Sequence, residues 1–452
     1  MRLALLFSLA LTAGAAWAET PAEGLSAARQ AWADGKAGLA YRLSHQVLVQ
    51  APDDPAALLI VAAAAPHVGR ASEGRHAARL AWRLAPTSAM KHEAARTAAA
   101  AALAEGREGL AQLWLRRALL HAAPGDQTDR TGRDLARLRR MNPVSLSFDL
   151  SAAPSSNLND GAESANTQTD WVPERLSASA QALSGWRATA GVTLMARLRQ
   201  TGTSRTRLGF QLYGTVNQLS QEAKDKIAAD VAAGLPGLTG SDLNYTLAEA
   251  RAEHRFLAGP LPATLNLAAG RSWYGGDPYA SHLRVGLAET LPIGRMSALQ
   301  LALTADRQMP ERSASVDSLG LGATWLHQTA SGATWRLGVN LRGTDSAAVN
   351  SSYRGARIEA GWAPANAIGP VQVEARIAAG LRDYAAYDMG VFMVEGGRQD
   401  ESLEAGLDMT LPRAGLAGFA PTIGLEARRN RSNVGRFNTR EIGVTFGFRS
   451  LF

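Results

Sequence analysis

The residue types best suited to catalysis and metal binding occur in this sequence without the spacing that such chemistry needs. The chain has eight histidines and no cysteine, which excludes disulfides, cysteine metal sites and thiol nucleophiles. Isolated histidines of the first third, such as His76, His92 and His121, are expected at the surface. No G-x-S-x-G elbow, H-E-x-x-H pair or phosphate-binding loop is present. The sequence therefore predicts no enzyme, no metal site and no cofactor, unless folding brings a serine, a histidine and an acid together.

Charged side chains form a second pattern, because they recur at every other position in several segments of the last two thirds. The residues between them are mostly small or apolar, so a strand built from such a segment has one charged and one apolar face. The charged set comprises Glu249, Arg251, Glu253, Arg255, Glu374, Arg376, Glu426 and Arg428.

This alternation begins abruptly after Asn142-Pro143 and recurs to the end of the chain. About fourteen segments show it, each of roughly ten residues, the length that a tilted strand needs to cross a bilayer. Their connections alternate between long ones, such as 153–182 and 218–242, and short ones, such as 199–204. Long loops at one end and short turns at the other favour a transmembrane outer-membrane β-barrel over 142–452 rather than a soluble sandwich.

The charged face of these strands must then point into the barrel. A charge facing lipid at mid-membrane costs roughly 2 to 4 kcal/mol, so the apolar face is the one that meets lipid. The predicted lumen is polar and mixed in sign, which suits an aqueous passage or a plugged pore. An even number of strands returns the C-terminus to the side on which the barrel begins.

The N-terminus predicts export. Arg2, an apolar run over 3–11 and Ala16-Trp17-Ala18 have the order of a cleaved signal peptide over 1–18. An exported chain seldom meets nucleic acid, so its net charge of +7 points to anionic lipid head groups or a charged client, or reflects an arginine-rich composition alone.

The segment 19–141 has helical periodicity and an internal repeat. Gly35 and Gly69 are 34 residues apart, as are Pro52 and Pro86, and a looser third copy follows. A helix–turn–helix repeat of this length resembles the tetratricopeptide family, whose solenoids have a concave protein-binding face. The alternative is an alanine-rich helical bundle without a repeat class.

Two polar motifs flank the predicted barrel. Ser156, Asn157 and Asn159 lie in an S-N-L-N run directly after the first strand, and Ser432 and Asn433 precede the last strand. Either motif could be a turn-rich polar loop with no other role. The final strand carries Phe446, Phe448 and the terminal Phe452, an ending that resembles the signal by which outer-membrane proteins are recognised for barrel insertion.

In this order, the elements resemble the surface lipoprotein assembly modulator family, often called Slam. The resemblance covers essentially the whole mature chain, and its most specific parts are 156–159 and 432–452. It implies a periplasmic helical domain before a fourteen-stranded outer-membrane barrel. It also implies a role in moving lipoproteins, or in some branches soluble haem- or metal-scavenging proteins, to the cell surface.

The leading hypothesis is therefore a non-enzymatic translocon that acts as a monomer on a client lipoprotein or secreted protein. Periplasmic chaperones, the barrel-assembly machinery and outer-membrane lipid are the other expected partners. An exopolysaccharide exporter and a diffusion porin with an added periplasmic domain stay open as alternatives. The long connection 218–242, whose 220–233 stretch has helical character, is a candidate plug or lid.

Overall fold

The structure, a computed structural model, describes residues 20–169, 172–390, 392–414 and 419–450. It divides into two compact units, one ending at Met141 and the other beginning at Asn142. The predicted signal peptide and the terminal Phe452 lie outside the described residues. Among the helices that are described, none is long and apolar enough to cross a membrane.

From residue 20 onward, the first unit contains seven α-helices, each packed against the next one along the chain. Gly35, Gly69 and Gly106 each precede a helix with φ values of 75°, 78° and 70°, a left-handed conformation that glycine adopts without steric strain. The unit therefore consists of three helix–turn–helix pairs followed by one last helix. The helices are α1 Pro21–Ala33, α2 Ala37–Gln50, α3 Pro55–Ala64, α4 Ala71–Leu84, α5 Ser88–Ala104, α6 Glu108–Leu119 and α7 Asp126–Met141.

Alanine dominates the core of this unit. Ala28, Ala40, Ala78 and Ala98 are fully buried, and such small side chains let neighbouring helices approach closely. Helix starts are capped locally: Thr20 forms a capping box with Glu23, and the Asp54 carboxylate accepts the backbone N–H groups of Ala56 and Ala57. These caps satisfy donors that the helices leave unpaired.

The second unit is a closed antiparallel barrel of fourteen strands, which confirms the predicted fold. Two further short strands, β2 and β3, form a separate hairpin in the first long loop, and a helix, α8, lies in the second. The barrel strands are β1 Val144–Ser155, β4 Gly185–Gln200, β5 Ser204–Leu219, β6 Tyr245–Ala258, β7 Leu261–Tyr274, β8 Asp277–Pro292, β9 Ser297–Pro310, β10 Val316–Gln328, β11 Thr334–Ser346, β12 Tyr353–Ala363, β13 Gln372–Tyr384, β14 Arg398–Thr410, β15 Phe419–Ser432 and β16 Thr439–Ser450. The inserted elements are β2 Asn166–Thr169, β3 Val172–Arg175 and α8 Gln221–Ala232.

The two faces of the barrel wall differ in chemistry. Large apolar side chains such as Phe148, Leu212 and Leu403 are 41%, 46% and 55% exposed on one face. On the other face, charged side chains reach over an intervening strand: Arg342 of β11 lies 2.8 Å from Asp306 of β9. Side chains from strands two apart converge only on the concave side of a sheet, so the charged face lines the inside.

The loops are distributed unequally between the ends. We call the end at which β1 begins the near end and the opposite end the far end. The far end carries the segments 156–184, 220–244 and 385–397, whereas the near end has short turns such as 201–203 and 259–260. One far-end connection departs from the predicted alternation of long and short: Gly275 and Gly276 alone join β7 to β8, with φ values of 62° and 93° that permit so tight a turn.

Candidate functional site

The candidate site is the inner wall of the barrel together with the loops at its far end. On β6, Glu249 is only 2% exposed and accepts a hydrogen bond from His282 Nε2 of β8 at 2.8 Å. Arg251 is its other partner. The intervening strand makes this contact feasible because it places Gly270 there, where a Cβ would lie 2.7 Å from the His282 ring. Two predicted lumen charges are thus part of a three-residue network around the buried Glu249.

Glu253, four residues after Glu249 on β6, forms ion pairs with two arginines. Arg207 Nη2 lies 2.7 Å from Glu253 Oε2, and Arg255 Nε lies 2.9 Å from Glu253 Oε1. Arg207 comes from the neighbouring β5, whereas Arg255 follows on the same strand. Charge-assisted bonds to both carboxylate oxygens fix this acid on the wall.

A larger network covers the inner faces of β11 to β15. Arg376 lies 2.6 Å from Asp408 and 3.7 Å from Glu426, while Arg336 lies 4.0 Å from Glu374. Arg428 links this group to Glu404, whose other partner is Arg357. Arg376, Glu426 and Arg428 therefore belong to one network of both signs, whereas Glu374 pairs separately with Arg336. Sequence reasoning missed Glu404 and Arg357, which only the strand register brings beside Arg428.

The S-N-L-N motif holds the first loop in a fixed shape. Asn157 is 1% exposed; its Oδ1 accepts from the Gly161 N–H and its Nδ2 donates to the Gly161 carbonyl, both at 2.8 Å. Asn159 Nδ2 donates to the carbonyl oxygens of Ser179 and Gln181, and its Oδ1 accepts from the Leu183 N–H. The side-chain amides of both asparagines thus take the place of backbone groups as hydrogen-bond partners inside the loop.

The same loop is tied to the wall at three points. Ser156 Oγ accepts from the Ile442 N–H of β16 at 3.2 Å, and Arg187 Nη2 of β4 donates to the Leu158 carbonyl at 2.7 Å. Asp160, which has a φ of 51°, approaches Arg428 of β15 at 3.9 Å. Because Arg187 and Arg428 stand on the inner face of separate strands, the loop tip lies over the lumen at the far end.

The second predicted motif, Ser432-Asn433, connects two other far-end loops. We call it the far-end clasp. Asn433 Nδ2 donates to the Gly397 carbonyl and its Oδ1 accepts from the Gln399 N–H, both at 2.8 Å. Ser432 Oγ accepts from the Val434 N–H, and the fully buried Val434 bridges to Thr169 of β2. The motif thus joins the 433–438 loop to the 385–397 loop and to the first-loop hairpin.

Beside this clasp lies a cationic and aromatic cluster that the sequence did not reveal. The guanidinium of Arg398 lies 3.3 Å from the ring centroid of Phe437 and 4.6 Å from that of Tyr384. It also donates two hydrogen bonds to Asp400, whose side chain is 3% exposed. Tyr384 and Phe437 come from segments far apart in the sequence, so no local spacing could have indicated the cluster.

The predicted helix in the second long loop is confirmed and is fixed in place. Ser220 caps α8 through the Ala223 N–H. Ala223 and Ile227 pack with Leu158 and Leu183 of the first loop. The Asp230 carboxylate accepts from the Ala178 N–H. The apolar contact between α8 and the first loop joins the first two far-end loops. We call these two loops together the folded cap.

The last strand closes the barrel by pairing with both β1 and β15. Phe446 and Phe448 lie on its apolar outer face, 49% and 53% exposed. With Phe452 outside the described residues, their role in barrel insertion stays a prediction.

The helical unit holds a separate cleft of about 910 Å³, lined by Trp32, Met90, Arg96 and Arg130 among others. His92, at its edge, is buried and its Nε2 lies 3.1 Å from Thr131 Oγ1 of α7. The expectation that His92 lies at the surface is therefore wrong, because its position on α5 faces α7. Burial lowers its pKa below the ordinary histidine value, and Arg96 and His121 add to that effect.

Across the residues that the structure covers, no group of three or more histidines and acids is arranged to hold a metal ion.

Comparison with known protein families finds a match within the barrel. Residues 264–447, from β7 to β16, match the family described as surface lipoprotein assembly modifier. The resemblance predicted from the sequence is confirmed. The surface lipoprotein assembly modifier match covers β8 to β15 in full and most of β7 and β16, and it includes the Ser432-Asn433 clasp.

Solved structures of outer-membrane barrels are also similar to this chain. OccAB3 of Acinetobacter baumannii has 9% identity and a TM-score of 0.35, and the alignment covers 68% of this chain and 98% of that one. Outer-membrane expressed OmpT of Vibrio cholerae gives the same four values. A bacterial polysaccharide outer membrane secretin has 8% identity and a TM-score of 0.33, with 68% and 98% covered. No curated protein matches the chain in sequence.

Proposed function

We propose that this protein is a non-enzymatic translocon of the bacterial outer membrane that delivers lipoproteins or secreted proteins to the cell surface. The observation that carries the proposal is the surface lipoprotein assembly modifier match over the barrel. The polar inner wall supports it, since charges of both signs suit a polypeptide better than a conduit for one kind of charged polymer.

In this proposal the helical unit acts in the periplasm as a tetratricopeptide-like solenoid. Its three helix–turn–helix pairs and its cleft support a role in binding the client or a chaperone that carries it. The near end of the barrel then faces the periplasm, and the folded cap of loops faces the outside.

The test is a surface-exposure assay in intact cells. The gene is expressed together with each neighbouring gene for a lipoprotein or a small secreted protein, and added protease reports which clients are exposed. Exposure that depends on this protein supports the translocon. If no neighbour changes its exposure and the purified barrel shows a large steady conductance in planar bilayers, the porin alternative replaces it.

A further inference from the structure

Four arginines crowd one sector of the inner wall at the near end. In the strand register, Arg197 of β4 stands directly opposite Arg207 of β5, and Arg205 of β5 stands directly opposite Arg255 of β6. Like charges in directly opposed positions destabilise a sheet. Two such pairs side by side therefore oppose folding, and a sequence retains them only if something else compensates.

The chain itself compensates this sector only in part. Glu253 neutralises Arg207 and Arg255 together, since both guanidinium groups bond to its one carboxylate. Arg197 donates to the neutral side chain of Gln200. In the part of the chain that is described, Arg205 Nε is buried without a hydrogen-bond partner. Among the described residues, the guanidinium groups of Arg205, Arg207 and Arg255 thus face one carboxylate, that of Glu253.

The β11 to β15 side of the wall is different. There the single arginine Arg376 forms ion pairs with two acids, Asp408 and Glu426, and Arg357 forms an ion pair with Glu404. Each of these two arginines therefore has an acidic partner that the other lacks, whereas Arg207 and Arg255 share one.

We propose that this arginine sector, Arg197, Arg205, Arg207 and Arg255, binds an acidic segment of the polypeptide that passes through the barrel. The inference rests on the proposed function, because it takes the occupant to be the client. Guanidinium forks match carboxylates in two-bond geometry. The sector lies on the inner face, where bilayer lipid does not reach, and at the near end, where a client would enter first.

The test uses the full chain folded in detergent micelles and a fluorescein-labelled octaglutamate peptide, with binding followed by fluorescence anisotropy. Arg205→Gln with Arg255→Gln is expected to weaken binding about tenfold or more, since the charge-assisted bonds to the peptide carboxylates are lost. The matched control is Arg342→Gln, which removes an inner-wall arginine bonded to Asp306 on the other side; its affinity should change less than twofold. Unchanged affinity in the double variant, or equal binding of octalysine, would overturn the proposal.

A single Arg205→Gln variant separates a binding role from a structural one. Removing one of two opposed arginines should leave the thermal unfolding midpoint unchanged or raise it, while binding weakens. A lowered midpoint with unchanged binding would mean that Arg205 serves the fold and not a ligand. Client exposure in cells remains the readout for the translocon, so an unmodified protein that exposes its client but does not bind octaglutamate would remove this subsite alone.

Discussion

The carboxylate of Asp160 lies 3.9 Å from Nη1 of Arg428, a contact between the tip of the first long loop and the inner face of β15. The loop therefore turns inward over the lumen instead of extending away from it. Residues 156–159 directly before this tip are the ones that the family resemblance singles out. Their hydrogen bonds explain how the loop keeps its inward course.

Replacing Asn157 and Asn159 by alanine should loosen the first loop. Each change leaves loop backbone groups without partners, at about 1 to 3 kcal/mol for a buried group. We expect trypsin to cleave the segment 156–184, which contains Arg175, faster in the folded double variant. Asn166→Ala, at an exposed position of β2, is the matched control. Equal cleavage of both variants would show that the asparagines do not hold the loop.

Detaching α8 should open the far end. Ile227 is 7% exposed and packs against the first loop, whereas Val231 on the same helix is 51% exposed. Ile227→Asp places a charge in the apolar contact and should raise single-channel conductance in planar bilayers. Val231→Asp adds the same charge at the surface and should leave conductance unchanged. If Ile227→Asp also has no effect, α8 is not a lid.

Removing Arg398 should destabilise the far-end clasp. Arg398→Ala leaves the buried Asp400 carboxylate without its cation, which costs roughly 3 to 5 kcal/mol when a buried pair is broken. We expect a lower thermal unfolding midpoint in detergent. Arg436→Ala removes the other cation near Phe437, 5.6 Å from its ring centroid, from an exposed position. A similar midpoint for both variants would contradict the assigned role of the Arg398–Asp400 pair.

The helical unit should lose stability in mild acid because of His92. Burial lowers the pKa of His92 in the folded state, so the folded state binds fewer protons than the unfolded state. The stabilisation is fully present above the ordinary histidine pKa, about 6.5, and is lost as pH falls through the lowered folded value. Hydrogen exchange of peptides from α5 and α7 should therefore accelerate between pH 7 and pH 5, after correction for intrinsic rates. His92→Gln should reduce that acceleration, and His76→Gln, at an exposed site, should not.

Local patterns predicted the architecture well. The alternation over 144–150 indicated a membrane strand, and the spacing of Gly35 and Gly69 indicated paired helices, because both signals depend on residues close in sequence. The fourteen strands and α8 followed from the same kind of pattern. Each of these elements appears in the structure.

Contacts between distant segments could not be predicted in the same way. Glu249 meets His282 only because the register sets Gly270 between them, and one residue of slip would place these side chains on opposite faces. The Arg398 cluster and the β2–β3 hairpin likewise depend on how three loops fold together. His92 was misplaced because a single histidine in a helix does not show which neighbour will cover it.

The most direct test of the translocon is to ask whether a client passes through the lumen. The chain has no cysteine, so a single introduced cysteine can carry a photo-crosslinker at one chosen position. Asn340→Cys places it on the inner face of β11, and Val339→Cys places it one residue away on the exposed outer face. With a client that reaches the cell surface, the proposal predicts crosslinks from position 340 and none from 339. Crosslinks from 339 alone, or none from 340 while the client is being exported, would contradict passage through the barrel.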